Sequence, residues 1–383
     1  MISRVLSLLS LLLAVTIPLA CAQNAGPDDG PRLLRSFDTD WSKRAIDLSE
    51  LRAGGPPKDG IPSIDAPSFQ SVEAGRTWIE PQEPVIALEH GGEAKAYPLK
   101  ILTHHEIVND RIGGTPVAVT FCPLCYSALV FDRTLDGRPV EFGVSGLLRK
   151  SDMVMYDRRT ETLWQQFTGR AIVGDLTGQT LTQIPAQIIA FRQFAQAFPD
   201  GTVLSKDTGH RRNYDRNPYT GYDDIDDRPF AFTGEIDDRL PPKEKVVTVS
   251  LGSTHVAYPH SITRKNQVVN DAIGGTPVAV VHLPGAVSAL DARRVAASRE
   301  IGSTGVFDRR VDGRTLTFRP ESPSTGEEAE RFVDEETGST WTLTGRAVAG
   351  PLAGTQLERI GHTDSFAFAW FAFRPETRVY RSR

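Results

Sequence analysis

From Pro84 onward the chain is a succession of short, β-branched, apolar runs separated by glycine, aspartate and proline pairs, the pattern of strands joined by tight turns. Residues 84–98 read as a hairpin turning at Gly91-Gly92, and strands are predicted at 116–122, 126–133, 138–145 and 152–157, with Asp136-Gly137 as a hairpin turn. Residues 99–109 read as a short helix that Gly113-Gly114 stops. Residues 186–198 read as an amphipathic helix offering Ile188, Ile189, Phe191, Phe194 and Phe198 to a core. The stretch 54–67, GGPPKDGIPSIDAP, has too many prolines and glycines for regular structure and is expected to lie as an extended arm against the domain C-terminal to it. The fold class is α+β, dominated by strands.

The pattern occurs twice. AYPLKILTHHEIVNDRIGGTPVAVTFCPLCYSAL at 96–129 matches AYPHSITRKNQVVNDAIGGTPVAVVHLPGAVSAL at 257–290 without a gap. Further on, FDRTLDGRPVEF at 131–142 matches FDRRVDGRTLTF at 307–318, and WQQFTGRAIVG at 164–174 matches WTLTGRAVAG at 341–350. A repeat this long predicts a tandem duplication of one mixed domain rather than a solenoid unit. The expected organisation is a leader over 1–22, an extended arm over 23–79, a first repeat over 80–206, a polar linker or covering loop over 207–244, and a degenerate second repeat over 245–383.

Composition narrows the setting. A chain of 383 residues can hold two ordinary cores, and 39% hydrophobic with 24% charged residues is a globular balance. Net charge is −5 with no long basic run, which gives no sign of nucleic acid or an anionic membrane surface as a partner. Arg4 followed by VLSLLSLLLAVTIPLA at 5–20 has the form of a secretory leader, and Ala20-Cys21-Ala22 fits a cleavage site that leaves Gln23 first. Lipidation at Cys21 is the competing reading, disfavoured by Pro18. The expected location is therefore extracytoplasmic, in the periplasm or secreted, with no transmembrane span in the mature chain and an unknown small molecule or protein as partner.

The duplication also marks a site. Framework positions recur in both copies, among them Tyr97/Tyr258, Asn109/Asn270, Asp110/Asp271 and Ser127/Ser288. The reactive ones do not: His105 becomes Asn266, Glu106 becomes Gln267, Cys122 becomes Leu283 and Cys125 becomes Ala286. The segment 143–156, GVSGLLRKSDMVMY, has no counterpart. Their joint loss is what a single site needed in only one copy would produce.

These motifs, YPLxIL, HEIVND, GGTPVAVTxCPLC, FGVSGLLxxSDxVMYDR and DTGHRRNYDRNPY, resemble the bacterial domain-of-unknown-function family 3179, from about Gly54 to Tyr222. The second copy resembles it only in its framework. Within the resemblance, His105 is the HEIVND histidine, Cys122 and Cys125 are the CPLC pair, and His210 is the GHRR histidine. The family implies no established activity. Where members often carry small residues after CPLC, this chain has Tyr126.

The metal reading takes Cys122 and Cys125 as thiolate ligands of a zinc or copper ion, with His105 and His210 completing the set and Glu106 or Asp110 orienting an imidazole from behind. A thiol–disulfide redox pair fits an oxidising compartment, but no βαβ pattern surrounds the motif. A binding protein with a structural disulfide is the plainest alternative. His104-x-Glu106 followed by Cys-x-x-Cys only superficially fits a zinc deaminase, since the proline before the first cysteine is absent. Met153 and Met155 are expected in the core, and Arg149, Lys150 and Asp152 in a solvated loop.

Overall fold

The computed structural model describes residues 31–321 and 330–382; the leader lies outside them. Strands dominate, in sheets of two to five strands with a few short helices, so the fold is α+β. Among the described residues no helix is long and apolar enough to cross a membrane.

The apolar runs form the strands for an elementary reason: nearly every residue in them is buried, and burying backbone requires that its N–H and C=O groups pair. Pro84–His90 and Glu93–Pro98 form a hairpin. The helix Leu99–His105 follows, then a second hairpin, Ile107–Ile112 with Thr115–Cys122, and then the strand Ser127–Asp132 beside it. The same succession returns as Lys245–Leu251, Thr254–Pro259, helix His260–Asn266, Val268–Ile273, Thr276–Leu283 and Ser303–Asp308. In both halves a late strand joins the first hairpin antiparallel, Gln187–Ala190 to Pro84–His90 and His362–Phe366 to Lys245–Leu251. A last one joins it parallel, Thr202–Leu204 in the first half and Arg378–Val379 in the second.

The side chains that recur in sequence do matching work. Tyr97 donates to Asp110 at 2.7 Å, and Tyr258 to Asp271 at 2.8 Å. Asn109 Nδ2 donates to the Phe142 carbonyl at 2.8 Å, and Asn270 Nδ2 to that of Phe318 at 2.7 Å. Trp164 and Trp341, both fully buried, donate through Nε1 to Asp157 and Asp334. Leu283 and Ala286, which replace the cysteines, are buried apolar residues.

Three local expectations change. The helix over 99–109 ends at His105, because Glu106 takes φ 59° and turns the chain into the strand Ile107–Ile112; Gly113-Gly114 is a hairpin turn rather than a helix stop. The helix over 186–198 begins only at Phe191, since Gln187–Ala190 is captured as an edge strand by Pro84–His90. Sheet pairing there outweighs helical periodicity. The strand expected over 138–145 divides into a two-residue bridge at Arg138–Pro139 and the long strand Phe142–Arg149.

The stretch before the first hairpin holds short strands at Leu51–Ala53 and Phe69–Ser71 and a helical turn at Val72–Gly75. Ile64 is fully buried and takes a place beside Val108, accepting from Asn109 N at 2.8 Å. Residues 207–244 carry no regular structure and fold over the first half, with Tyr214 and Tyr219 reaching His105 and Glu106.

Asn109 also accepts from Phe142 N at 2.9 Å, so its amide satisfies both buried backbone groups of one residue. Asn109→Ala should destabilise the protein by about 1–3 kcal/mol through those unsatisfied groups, read as a shift in the urea unfolding midpoint.

Candidate metal centre

The cysteine turn is built by the strands on either side of it. Cys122 ends one strand and pairs with Ser127, which begins the next. Between them Cys125 N donates to Cys122 O at 3.3 Å and Tyr126 N to Pro123 O at 3.2 Å, a turn that puts Tyr126 at φ 54°. Both cysteines are free thiols, 1% and 0% exposed.

A second hairpin brings the third member. Phe142–Arg149 and Asp152–Asp157 pair so that Arg149 faces Asp152, with Lys150 and Ser151 as the turn at φ 53° and 67°. A two-residue hairpin of this hand needs positive φ at both positions, here without glycine at either. Two non-glycine residues held there are a cost that the surroundings must cover. Lys150 Nζ is anchored on Ala372 O at 2.8 Å and Ser151 Oγ on Phe230 O at 2.6 Å. The result is a buried Asp152 whose carboxylate, with Cys122 Sγ and Cys125 Sγ, forms a cluster of donor atoms all within 4.8 Å of one another.

Asp152 is the informative residue. Its Oδ2 accepts from Gln165 Nε2 and from Phe167 N at 3.0 Å. Its Oδ1 is buried with no hydrogen-bond partner among the described residues, while the carboxylate shares the cluster with the two sulfurs. Burial pushes this carboxyl up to about 7 and raises both thiols, most of all Cys125. An electropositive surrounding that would favour a reactive thiolate is missing here, since the charges that act on Cys122 are those of Asp152 and Glu106.

The other expected members stand elsewhere. His105 Nδ1 donates to Pro62 O at 2.7 Å, which fixes the neutral tautomer; Nε2 then accepts from Tyr214 Oη, also at 2.7 Å. Tyr214 Oη in turn lies 2.6 Å from Thr208 Oγ1. With both ring nitrogens engaged, His105 has no lone pair left for an ion, and it lies outside the sulfur–carboxylate cluster. His210 is exposed; its ring centroid lies 5.3 Å from that of His105, the two planes tilted by 40°, and it too is outside the cluster. Asp110 accepts from Lys95 Nζ at 2.9 Å and from Tyr97, the framework contact repeated in the second half. Glu106 is 7% exposed and sits close enough to Cys122 and Asp152 to act on both electrostatically. Among the described residues its carboxyl receives a long contact from Tyr219 Oη at 3.4 Å, and burial pushes it up to about 8.

A cavity of about 630 Å³ adjoins the cluster, lined by Glu106, by Leu124 from the cysteine turn, by Met153 next to Asp152, and by Tyr219 and Tyr222 of the covering segment. Asp152, expected in a solvated loop, is instead fully buried. The signal that could have found it was in the sequence: SDMVMY lies in the stretch that the second half lacks.

Comparison with known proteins adds one match. The model of the family described as "Protein of unknown function (DUF3179)" matches residues 58–377. The chain belongs to this family. The match takes in the second half as well as the motif-bearing first, so both halves fall within one DUF3179 unit. Neither the curated proteins nor the solved structures contain a match.

His105 supplies a pH test of this geometry. Burial holds its pKa down to about 4 in the folded protein, below the ordinary value of 6.5. The unfolded chain therefore binds the proton first, and the stability that His105 contributes, complete above pH 6.5, is lost as pH falls toward 4. In His105→Gln the slope of unfolding free energy against pH in that window should be shallower by up to about 1.4 kcal/mol per pH unit, measured by urea titrations.

Proposed function

We propose that this DUF3179 protein is an exported metal-binding protein whose ion, zinc in preference to copper, is held by Cys122 Sγ, Cys125 Sγ and the Asp152 carboxylate. The observation that carries the reading is the buried Asp152 Oδ1 without a hydrogen bond, set against two free thiols in one compact cluster. A buried carboxylate oxygen normally has a partner, and an ion that also takes the two sulfurs would supply it. The carboxylate decides between metals. Two thiolates alone suit cuprous copper, whereas sulfur and carboxylate together suit the borderline zinc ion.

Three protein ligands leave one position of a tetrahedron open, as catalytic zinc sites do and closed structural sites do not. A cavity lies nearby, lined by Leu124 and Met153, the chain neighbours of Cys125 and Asp152. Ligated thiols and a ligated carboxyl must be ionised, so binding would overcome the burial that raises them and would release protons. The redox reading loses support from the same facts, because raised thiol pKa values beside carboxyl groups make poor attacking sulfurs. The leader pattern of residues 1–22 supports export.

Mature protein purified without added metal should carry close to one zinc per chain by elemental analysis. Cys122→Ser and Asp152→Asn should each weaken zinc binding by more than about 100-fold, beyond the range for outlying partners of a ligand, while His105→Ala keeps the metal. Cobalt uptake by the stripped protein should give thiolate-to-cobalt charge-transfer absorption that weakens as pH falls. A protein that takes up neither ion, with both thiols freely titratable, would rule the site out.

A further inference from the structure

We propose that the cavity beside the cysteine turn binds an organic cation, an ammonium carried on an apolar body, with Glu106 as its counter-charge. The inference rests on the metal reading in one respect, the negative charge left over when zinc is bound, and is otherwise independent of it.

Size and composition come first. About 630 Å³ is the volume of a small-molecule site, and most of its wall is apolar, including Ile61 from the arm and Leu124 and Met153 from the site strands. The charged groups among the described residues that line it are Glu106 and Asp227; no lysine, arginine or histidine is among them. An anionic ligand would enter such a space without a single compensating charge.

Glu106 is the polar group that faces this space from the buried end. It is 7% exposed, and the only hydrogen bond to its carboxyl among the described residues is the long one from Tyr219. A buried carboxyl with one long hydrogen bond is costly to ionise, and a cation within reach would stabilise its ionised form. Three aromatic rings, Tyr219, Tyr222 and Phe230, line the same cavity, with Tyr219 and Tyr222 in edge contact at 6.4 Å. Ring faces attract ammonium groups. Tyr222 already does so within the protein, with Lys243 Nζ 4.2 Å from its centroid.

The charge count points the same way. With zinc bound, two thiolates and the Asp152 carboxylate would carry one negative charge more than the ion neutralises, and Glu106, once ionised, would add to the excess. A monocation in the cavity would offset it.

Glu106 can be tested without disturbing the backbone. Gln267 occupies the matching position in the second half with nearly the same conformation, φ 57° and ψ −37° against 59° and −32°, so the fold accepts glutamine there. The full mature chain would be titrated with phenyltrimethylammonium, with its uncharged isostere tert-butylbenzene, and with benzenesulfonate, while zinc content is measured on the same samples. The cation should bind at least 10-fold tighter than the isostere, and benzenesulfonate should not bind. Glu106→Gln should remove the preference for the cation, keep the isostere's affinity within about 2-fold, and keep its zinc. Ile61→Trp, which fills the cavity from the arm, should weaken both ligands.

Equal binding of cation and isostere, binding of benzenesulfonate, or an unchanged preference in Glu106→Gln would overturn the inference. So would loss of zinc in Glu106→Gln, because the carboxylate would then serve the ion. Zinc at one per chain with no cation binding defeats this proposal alone. Selective cation binding by a chain that never takes up metal supports it and defeats the metal reading alone.

Discussion

Removing an ionisable group from water is costly, and here two thiols and two carboxyls are removed together around one point. Much of the first half can be understood as the apparatus that makes this tolerable. Gln165 and the Phe167 amide serve one oxygen of Asp152. The strained Lys150-Ser151 turn is fastened at both residues, to Ala372 and to Phe230. The covering segment lines the cavity with Tyr219, Tyr222 and Asp227. Gln165 and Phe167 come from the neighbouring strand and turn, whereas Ala372 and Phe230 lie far along the chain, so the hairpin turn is held only once distant segments have closed on it.

The strands were legible from residue type because burial and pairing act locally on each run. Tyr97/Asp110 and Tyr258/Asp271, pairs that recur in the sequence, stand as matching hydrogen bonds in the structure. The cysteine turn was legible for the same reason, since a Cys-x-x-Cys between two apolar runs brings its sulfurs together by chain geometry alone. Asp152 was not, because its role depends on a hairpin delivering it across the molecule. The absence of a histidine at the matching position of the second half does not require a place beside the sulfurs, because His105 sits between Pro62 and Tyr214, where it ties the arm to the covering segment. Helix limits failed where a sheet edge took residues that periodicity had given to a helix, as at Gln187–Ala190.

Tyr126 is bulky where the family resemblance led us to expect a small residue, and its position explains why that is tolerated. Its ring points away from the cavity into the contact between halves, 4.4 Å from Lys245 Nζ and 5.7 Å from the Phe366 ring. Its hydroxyl accepts from Ala289 N at 3.3 Å. None of the residues lining the cavity is Tyr126.

The bond from Phe366 N to the carbonyl of Cys125, 2.9 Å long, carries a further consequence. Together with Ala289 on Tyr126 and Thr363 on the carbonyl of Ala128, it clamps the cysteine turn from a half of the molecule that has no reactive residues of its own at those positions. Small zinc modules collapse when chelated because the ion is their core. Here the turn is held by hydrogen bonds from the other half of the chain, so its shape rests on the fold as a whole, and loosening the second half would loosen the turn even though none of the site's residues lies there.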